Sequence, residues 1–351
     1  MIAEEEQVSN YRATMKDRWL KKKTPVSPSR FLSMTSPSNV LGGDNTSAIG
    51  ASGGRVGGGK RLTMDELKAK MDNEYYIRKA EHYLPEVKTV VIDSKSLSSI
   101  MDYVKSSGHP RCGYLYGVIN SEKGEACVDS IYEPPQDIVT SLPLEDGRKE
   151  RVGEVVKLIG MKPLGMIVTN DEGVLDANNV EHMLTRGLGY IAIVMKNAME
   201  VTAFQLSKQC IELWEKKIIV ASPKTLTMQG KKMNTSAKVS VNGKECKEIE
   251  VERLIVPIGI KQKHENDVID NYFLRLNRPE YLPTWYDVKN FLDGRKTLPL
   301  HQRVADFHLL LFLSDWFEVD PIVMGIFQQE DELLEGSMHL INGFIGNAQQ
   351  H

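Results

Sequence analysis

From residue 87 onward the apolar positions follow two alternating periods, near 2 and near 3.6 residues, which predict strands and helices in turn. "VKTVVID" (87–93) is β-branched and predicts a strand. "SKSLSSIMDYVKSSG" (94–108) sets Leu97, Ile100, Met101 and Val104 at helical spacing and closes on Gly108. "CGYLYGVI" and "EACVDSIYE" predict two strands joined by a turn over 121–124. "GRKERVGEVVKLIG" predicts a helix burying Val152, Val155, Val156 and Ile159. "LGMIVT" predicts a strand, and "DANNVEHMLTRG" a short helix capped by Asp176. A hairpin of "GYIAIVMKN" and "MEVTAFQLS" follows, then a helix, "KQCIELWEKK". "KVSVNGKECKEIEV" reads as a hairpin around Asn242-Gly243, and "ERLIVPIGI" closes this mixed α/β segment.

Past about residue 262 the pattern turns helical. "ENDVIDNYFLRL", "WYDVKNFL", "LHQRVADFHLLLFLSDWF" and "EDELLEGSMHLINGFI" predict four helices linked by proline-containing turns. Residues 302–317 are apolar nearly all round, as a helix at the centre of a core would be.

Before residue 87 the pattern fades. Residues 1–60 are rich in Ser, Pro and Gly without periodicity, and read as a disordered basic tail. Residues 61–86 hold a short amphipathic helix, "RLTMDELKAKMDNEY", with Thr63 as its N-cap, and a lead-in segment. The chain thus divides at 1–60, 61–86, 87–262 and 263–351.

Composition changes this picture little. Forty-one percent hydrophobic and 26% charged residues suit a globular protein. The net charge of -3 splits unevenly, with nine Lys/Arg against five Asp/Glu in residues 1–60. "RWLKKKTPVSPSR" stays open between a nuclear-import or phosphorylation segment and a solvated linker. "GRVGGGKR" imitates a phosphate-binding loop through Gly54, Gly59 and Lys60. Arg61 stands where the magnesium-binding hydroxyl should be, and no strand precedes it. Cys112, Cys127, Cys210 and Cys246 lie far apart without a C-x-x-C pair, so they read as free thiols. No apolar run approaches the roughly 20 residues that span a bilayer, and the acidic opening stretch lacks a signal-peptide core. The expectation is cytoplasm and nucleus, with no membrane insertion and no nucleic acid as partner.

Candidate chemistry is thin. None of the eight histidines sits in H-x-H or H-E-x-x-H spacing, and neither a G-x-S-x-G elbow nor a strand-borne G-x-G-x-x-G occurs. His308, in "ADFHLLLFL", reads as a core histidine, and Asp306 as a surface or capping group.

The order strand-helix-strand-strand-helix-strand, with "RCGYLYGVI" and "LGMIVTND" after successive helices, resembles an MPN domain. Active members of that class bind zinc through a glutamate, an H-x-H pair, a serine and an aspartate. Here Pro110 falls on the glutamate, Val168 and Asn170 on the histidines, and Asn178 and Glu181 near the last two. The resemblance therefore implies an MPN-like mixed sheet with flanking helices, without zinc, cofactor or enzymatic activity, followed by a mainly helical C-terminal domain.

"HPRCGYLYG", "SIYEPPQ", "LGMIVTND", "FQLSKQC", "ERLIVPIGI" and "ADFHLLLFL", in that order, resemble the nuclear protein localization protein 4 family over about residues 75–320. The resemblance implies a non-enzymatic adaptor that recognises polyubiquitinated, partly unfolded ubiquitin substrates. It would deliver them to a Cdc-type AAA ATPase for proteasomal or ER-associated degradation, at the ER surface through partners. A ubiquitin fusion degradation subunit would be its heterodimer partner. Family members usually also carry a ubiquitin-like domain and zinc fingers, for which no cysteine stands before Cys112. Docking on the ATPase would then fall to the tail, a partner subunit or another chain.

An adaptor of this kind holds extended polypeptide in a groove between its two folded parts. The candidates are Tyr132, Glu133, Pro134, Pro135 and Gln136 at one strand end, Thr169, Asn170 and Asp171 at another, and Pro257, Ile258 and Ile260 near the junction. The alternatives are a metal-free MPN scaffold subunit, as in a proteasome lid or translation initiation factor, and a zinc deubiquitinase with rearranged ligands.

Overall fold

The structure is a computed structural model that describes residues 75–78, 85–138, 143–187, 189–220, 230–242, 244–264 and 268–348. The expected tail and the helix over 61–74 lie outside the described residues; Tyr75, at the end of that helix pattern, begins a strand instead.

The strands are β1 (Tyr75–Ile77), β2 (Thr89–Asp93), β3 (Cys112–Asn120), β4 (Glu125–Tyr132), β5 (Lys162–Asn170), β6 (Ile191–Lys196), β7 (Glu200–Leu206), β8 (Lys232–Val241), β9 (Lys244–Glu250) and β10 (Ile255–Lys263). Helices α1 (Ser94–Ser107), α2 (Lys149–Leu158), α3 (Ala177–Arg186) and α4 (Lys208–Glu215) alternate with them. Then come α5 (Trp285–Gly294), α6 (Leu300–Arg303), α7 (Phe307–Ser314), α8 (Asp320–Gln328) and α9 (Glu335–Ala348).

Seven strands close into a barrel in the order β10-β2-β4-β3-β5-β6-β7, with parallel β10–β2, β2–β4 and β5–β6 pairs and antiparallel pairs elsewhere. The sequence pattern predicts a mixed sheet, not its closure. Nor does it assign the hairpin β8–β9 to a separate three-stranded sheet with β1. One close approach makes the barrel possible at β5. A Cβ on Gly165 would lie 2.1 Å from the Ile191 carbonyl oxygen, so only glycine lets β5 and β6 pair there.

Local chemistry sets the helix ends. Asp93 caps α1 by accepting the Ser96 N–H at 2.7 Å, and Gly108 ends it in the left-handed region at φ 70°. Asp176 and Asn179 form a reciprocal cap on α3.

Three apolar clusters hold the molecule together. One lies within the barrel and under Leu97 and Ile100 of α1. A second joins α3 and α4 to the small sheet. In the third, Val152, Val155 and Val156 of α2, with Ile159 after it, share one core with Phe307 to Leu313 of α7 and with Ile322, Ile341 and Ile345. The helical region is thus fastened to the barrel through α2.

Two helix expectations fail here for one reason. The described part of 265–276 forms no helix, and the long helix over 300–317 is broken at residues 304–306. Asp306 is fully buried and caps α7, accepting the N–H groups of His308 and Leu309 at 2.9 and 3.1 Å. Its other oxygen accepts from the Tyr272 and Phe273 N–H groups at 2.5 and 3.0 Å. Asp270 also exchanges backbone bonds with Ala305 and Phe307. Extended backbone satisfies that pattern, so 270–273 runs as a strap and the helix restarts after Asp306. Asp306 is a capping group, and not a surface one. Helix α8 is absent from the predicted set, and residues 331–334 form a 3-10 turn ahead of α9.

Candidate functional site

Between the barrel and the helices lies a cluster of charged groups that the sequence pattern does not announce. Strand β4 ends by carrying Tyr132 and Glu133 inward, each 2% exposed. The Glu133 carboxylate accepts from Arg111 Nε at 3.1 Å and from Arg278 Nη2 and Nε at 2.6 and 3.2 Å. Arg275 Nε stands 3.8 Å from it. Tyr132 donates to Asp146 at 2.9 Å and accepts from Asn277 Nδ2 at 3.1 Å.

Two further candidates, Thr169 and Gln136, support this cluster. Thr169 clamps the residue before β3: its hydroxyl accepts the Arg111 N–H at 2.5 Å, and its own N–H donates to the Arg111 carbonyl at 2.9 Å. Gln136, also buried, accepts from the Cys112 N–H at 2.7 Å and donates to the Cys112 and Pro134 carbonyls at 3.0 Å. Pro134 is buried and Pro135 half-buried. Asn170 closes a turn, accepting from the Gly173 N–H at 2.6 Å and donating to the Val174 carbonyl at 2.8 Å, while Asp171 is exposed.

Pro257 and Ile258 pair with Phe204 and Ala203 of β7, and Ile260 with Val90 of β2. The barrel offers no free edge there to an added strand. Tyr132 to Gln136 and Thr169 thus come together around Arg111, whereas 257–260 belongs to another part of the barrel wall.

The surface these residues underlie is a groove of about 750 Å³ between α1 and the strap, lined over residues 271–281. Asn271 anchors the strap by donating to the Asp129 carbonyl at 2.8 Å, and Asn277 by donating to the Glu133 carbonyl at 2.8 Å. Arg278 reaches across to the Ser99 carbonyl of α1 at 3.0 Å. Tyr103 of α1 lies against two guanidinium groups, 4.5 Å from Arg278 and 5.2 Å from Arg111 to the ring centroid, and donates to Glu280 at 2.7 Å. Burial pushes its phenol up, and that hydrogen bond holds the Glu280 carboxyl below its usual range. Tyr272, Leu274 and Tyr281 present exposed side chains along the strap wall.

These groove residues escape the sequence reading because 265–276 reads as a helix. The available signal is small: two asparagines, 271 and 277, bracket an apolar run that also contains Arg275. Their side chains fasten backbone.

The arrangement offers binding surface. The positions to which the resemblance would assign the zinc ligands of an MPN metalloprotease do not fit that ion. Pro110 has no side-chain donor, Val168 is a buried hydrocarbon, and both polar ends of the Asn170 amide are committed to its turn. Among the described residues no group of three His, Cys, Asp or Glu side chains converges to hold a metal ion.

No family profile matches the chain. It is 24% identical over 325 residues to the NPL4-like protein of Oryza sativa subsp. japonica, covering 82% of this chain and 75% of that one. NPL4-like protein 2 of Arabidopsis thaliana is 26% identical over 296 residues, covering 76% and 68%. The nuclear protein localization protein 4 homolog of Dictyostelium discoideum is 24% identical over 289 residues, covering 76% of this chain and 49% of that protein. Among solved structures, a Desulfitobacterium hafniense protein overlaps 51% of this chain and 95% of its own at 12% identity, with a TM-score of 0.32, too loose to bear on fold or function. These relatives agree with the motif-by-motif resemblance: proteins named NPL4-like are similar to this chain over about three quarters of its length or more.

Proposed function

We propose that this chain is a non-enzymatic adaptor that recognises polyubiquitinated, partly unfolded ubiquitin substrates and hands them to a Cdc-type AAA ATPase. A ubiquitin fusion degradation subunit acts as its heterodimer partner. Residues 87–262 serve as an MPN-like unit whose metal positions have been lost, and residues 263–351 as the C-terminal unit that completes the binding surface. The polypeptide path is the groove between α1 and the strap, because a wall from each unit forms it. Tyr132 to Gln136 and Thr169 act beneath it as its foundation; Asp171 offers a charge at the rim. The chain works in the cytoplasm and nucleus; the name of the Dictyostelium discoideum relative supports the nucleus alone.

The observation that carries this reading is the coincidence of the NPL4-like relationship with an open groove at the junction of barrel and helices. Affinity capture with the purified full chain tests it, scored for polyubiquitin and the AAA ATPase. Recovery of both is expected. Recovery of proteasome-lid or initiation-factor subunits, with neither ubiquitin nor the ATPase, would replace it with the scaffold reading.

A further inference from the structure

The last part of the chain carries one sign of charge. Residues 304–351 hold eight Asp and Glu and neither Lys nor Arg. Asp306 lies inside the core, Asp315 faces Arg148 and Arg151, and Asp331 pairs with His301. Glu318, Glu330, Glu332 and Glu335 are exposed and form no ion pair among the described residues.

Apolar surface lies beside these carboxylates. Leu333 and Leu340 are 43% and 56% exposed, and Trp316 is 52% exposed. Leu340 stands one turn before Phe344 on α9, and the Phe344 ring is 5.6 Å from that of Trp316. A Cβ on Gly336, Gly343 or Gly346 would meet nothing within 4 Å, so no described residue covers that side of α9. From Glu335 to Phe344 the helix runs about 14 Å, with Glu332 and Glu335 at one end and Glu318 two residues past Trp316 at the other. Open apolar surface flanked by unpaired carboxylates suits an occupant that is both apolar and basic.

The chain itself holds a segment of that chemistry. "VSNYRATMKDRWLKKK" (8–23), outside the described residues, carries six Lys and Arg against one Asp. It departs from the tail's lack of period: Val8, Tyr11, Met15 and Trp19 recur at spacings of three, four and four, which a helix would gather on one side. We infer that residues 8–23 dock on the acidic, apolar face formed by α9 and Trp316 of the same molecule. The tether reaches. The stretch 24–74, about 50 residues, spans about 75 Å even if wholly helical, against roughly 50 Å for the breadth of a folded unit of this size. It also holds the segment at an effective concentration on the order of 1 mM, which a free basic partner has to overcome. The inference stands apart from the adaptor reading, since it uses neither the groove nor ubiquitin.

The test uses full chains and a fluorescein-labelled peptide of residues 8–23, read by anisotropy in 50 mM salt. Wild type, whose own segment occupies the face, is compared with Lys21→Glu/Lys22→Glu/Lys23→Glu, whose segment is repelled. The peptide is expected to bind the triple variant at least about tenfold more tightly than wild type, the ratio set by a tethered competitor that fills nine-tenths of the sites. Adding Leu340→Lys to the triple variant, or Glu332→Lys with Glu335→Lys, should remove the binding. All three positions are exposed, and either change decides alone should the other not fold. Affinity for the triple variant should also fall at least about tenfold in 500 mM salt. Equal affinity for wild type and the triple variant, no binding to the triple variant, or binding that survives the face substitutions or high salt would overturn the inference. A wild type that weighs two chains by light scattering, beside a triple variant that weighs one, would assign the occupant to a second copy and overturn docking within one molecule.

Discussion

Replacing Glu133 with Gln removes the only carboxylate among the described residues that hydrogen-bonds to the arginine cluster, while preserving its shape. The side chain is 1% exposed, and the three it faces, Arg111, Arg275 and Arg278, are 2%, 3% and 18% exposed. Glutamine keeps one acceptor oxygen but turns an NH2 toward guanidinium donors, so Arg111, Arg275 and Arg278 lose the carboxylate they share. Breaking a buried pair from one side costs about 3–5 kcal/mol. For a fold of this size each kcal/mol lowers Tm by about 2–4 °C, so the expected drop is roughly 6–20 °C. Scanning calorimetry beside Glu248→Gln provides the measure. Glu248 pairs with Lys232 at 3.3 Å, and both side chains are more than half exposed. That surface change should stay within about 0.5 kcal/mol. If the two variants melt together, the cluster does not hold the barrel to the strap and this reasoning is wrong.

Other consequences follow from the same geometry. Gly165→Ala forces a methyl within 2.1 Å of the Ile191 carbonyl, and should cost about 1–3 kcal/mol in a urea titration. Asp306→Ala leaves four backbone N–H groups without their acceptor. A loss of about 2–5 kcal/mol is expected, with faster hydrogen exchange at Tyr272 and Phe273 than elsewhere in the core. His308 is buried, and desolvation holds its pKa well below the ordinary value. The unfolded chain therefore binds its proton first as pH falls below about 6.5, and stability declines there by up to about 1.4 kcal/mol per pH unit. Asp306, whose carboxyl burial raises, works in the opposite direction, so the comparison is between wild type and His308→Gln. The wild type should lose more Tm between pH 7.5 and pH 5.5; equal losses would show that His308 does not contribute.

The resemblance to NPL4-like proteins and most of the secondary structure were legible in the chain itself. The alternation of 87–93 and the helical spacing of 94–108 and 147–160 arise from burial of one face, the continuous apolar run 164–169 from burial of both, and all survive into the fold. Caps at Asp176 and Gly108 are short-range chemistry, complete within a few residues. What the chain could not disclose depends on partners far along it. Residues 265–276 have an apolar spacing that suits a helix. The Asp306 carboxylate, more than 30 residues away, takes the Tyr272 and Phe273 N–H groups and leaves the described part extended.

The candidate site divides in the same way. "EPPQ" and "LGMIVTND" were visible as unusual strand ends, but whether they face solvent is decided elsewhere. Thr169 turned out to grip Arg111, and Glu133 to meet arginines 22, 142 and 145 residues away in sequence. Residue types and local spacing determined which segments fold and which proteins they resemble. Only closure of the barrel and docking of the strap decided where the buried charges meet, because Coulomb and hydrogen-bond partners are chosen by proximity in space.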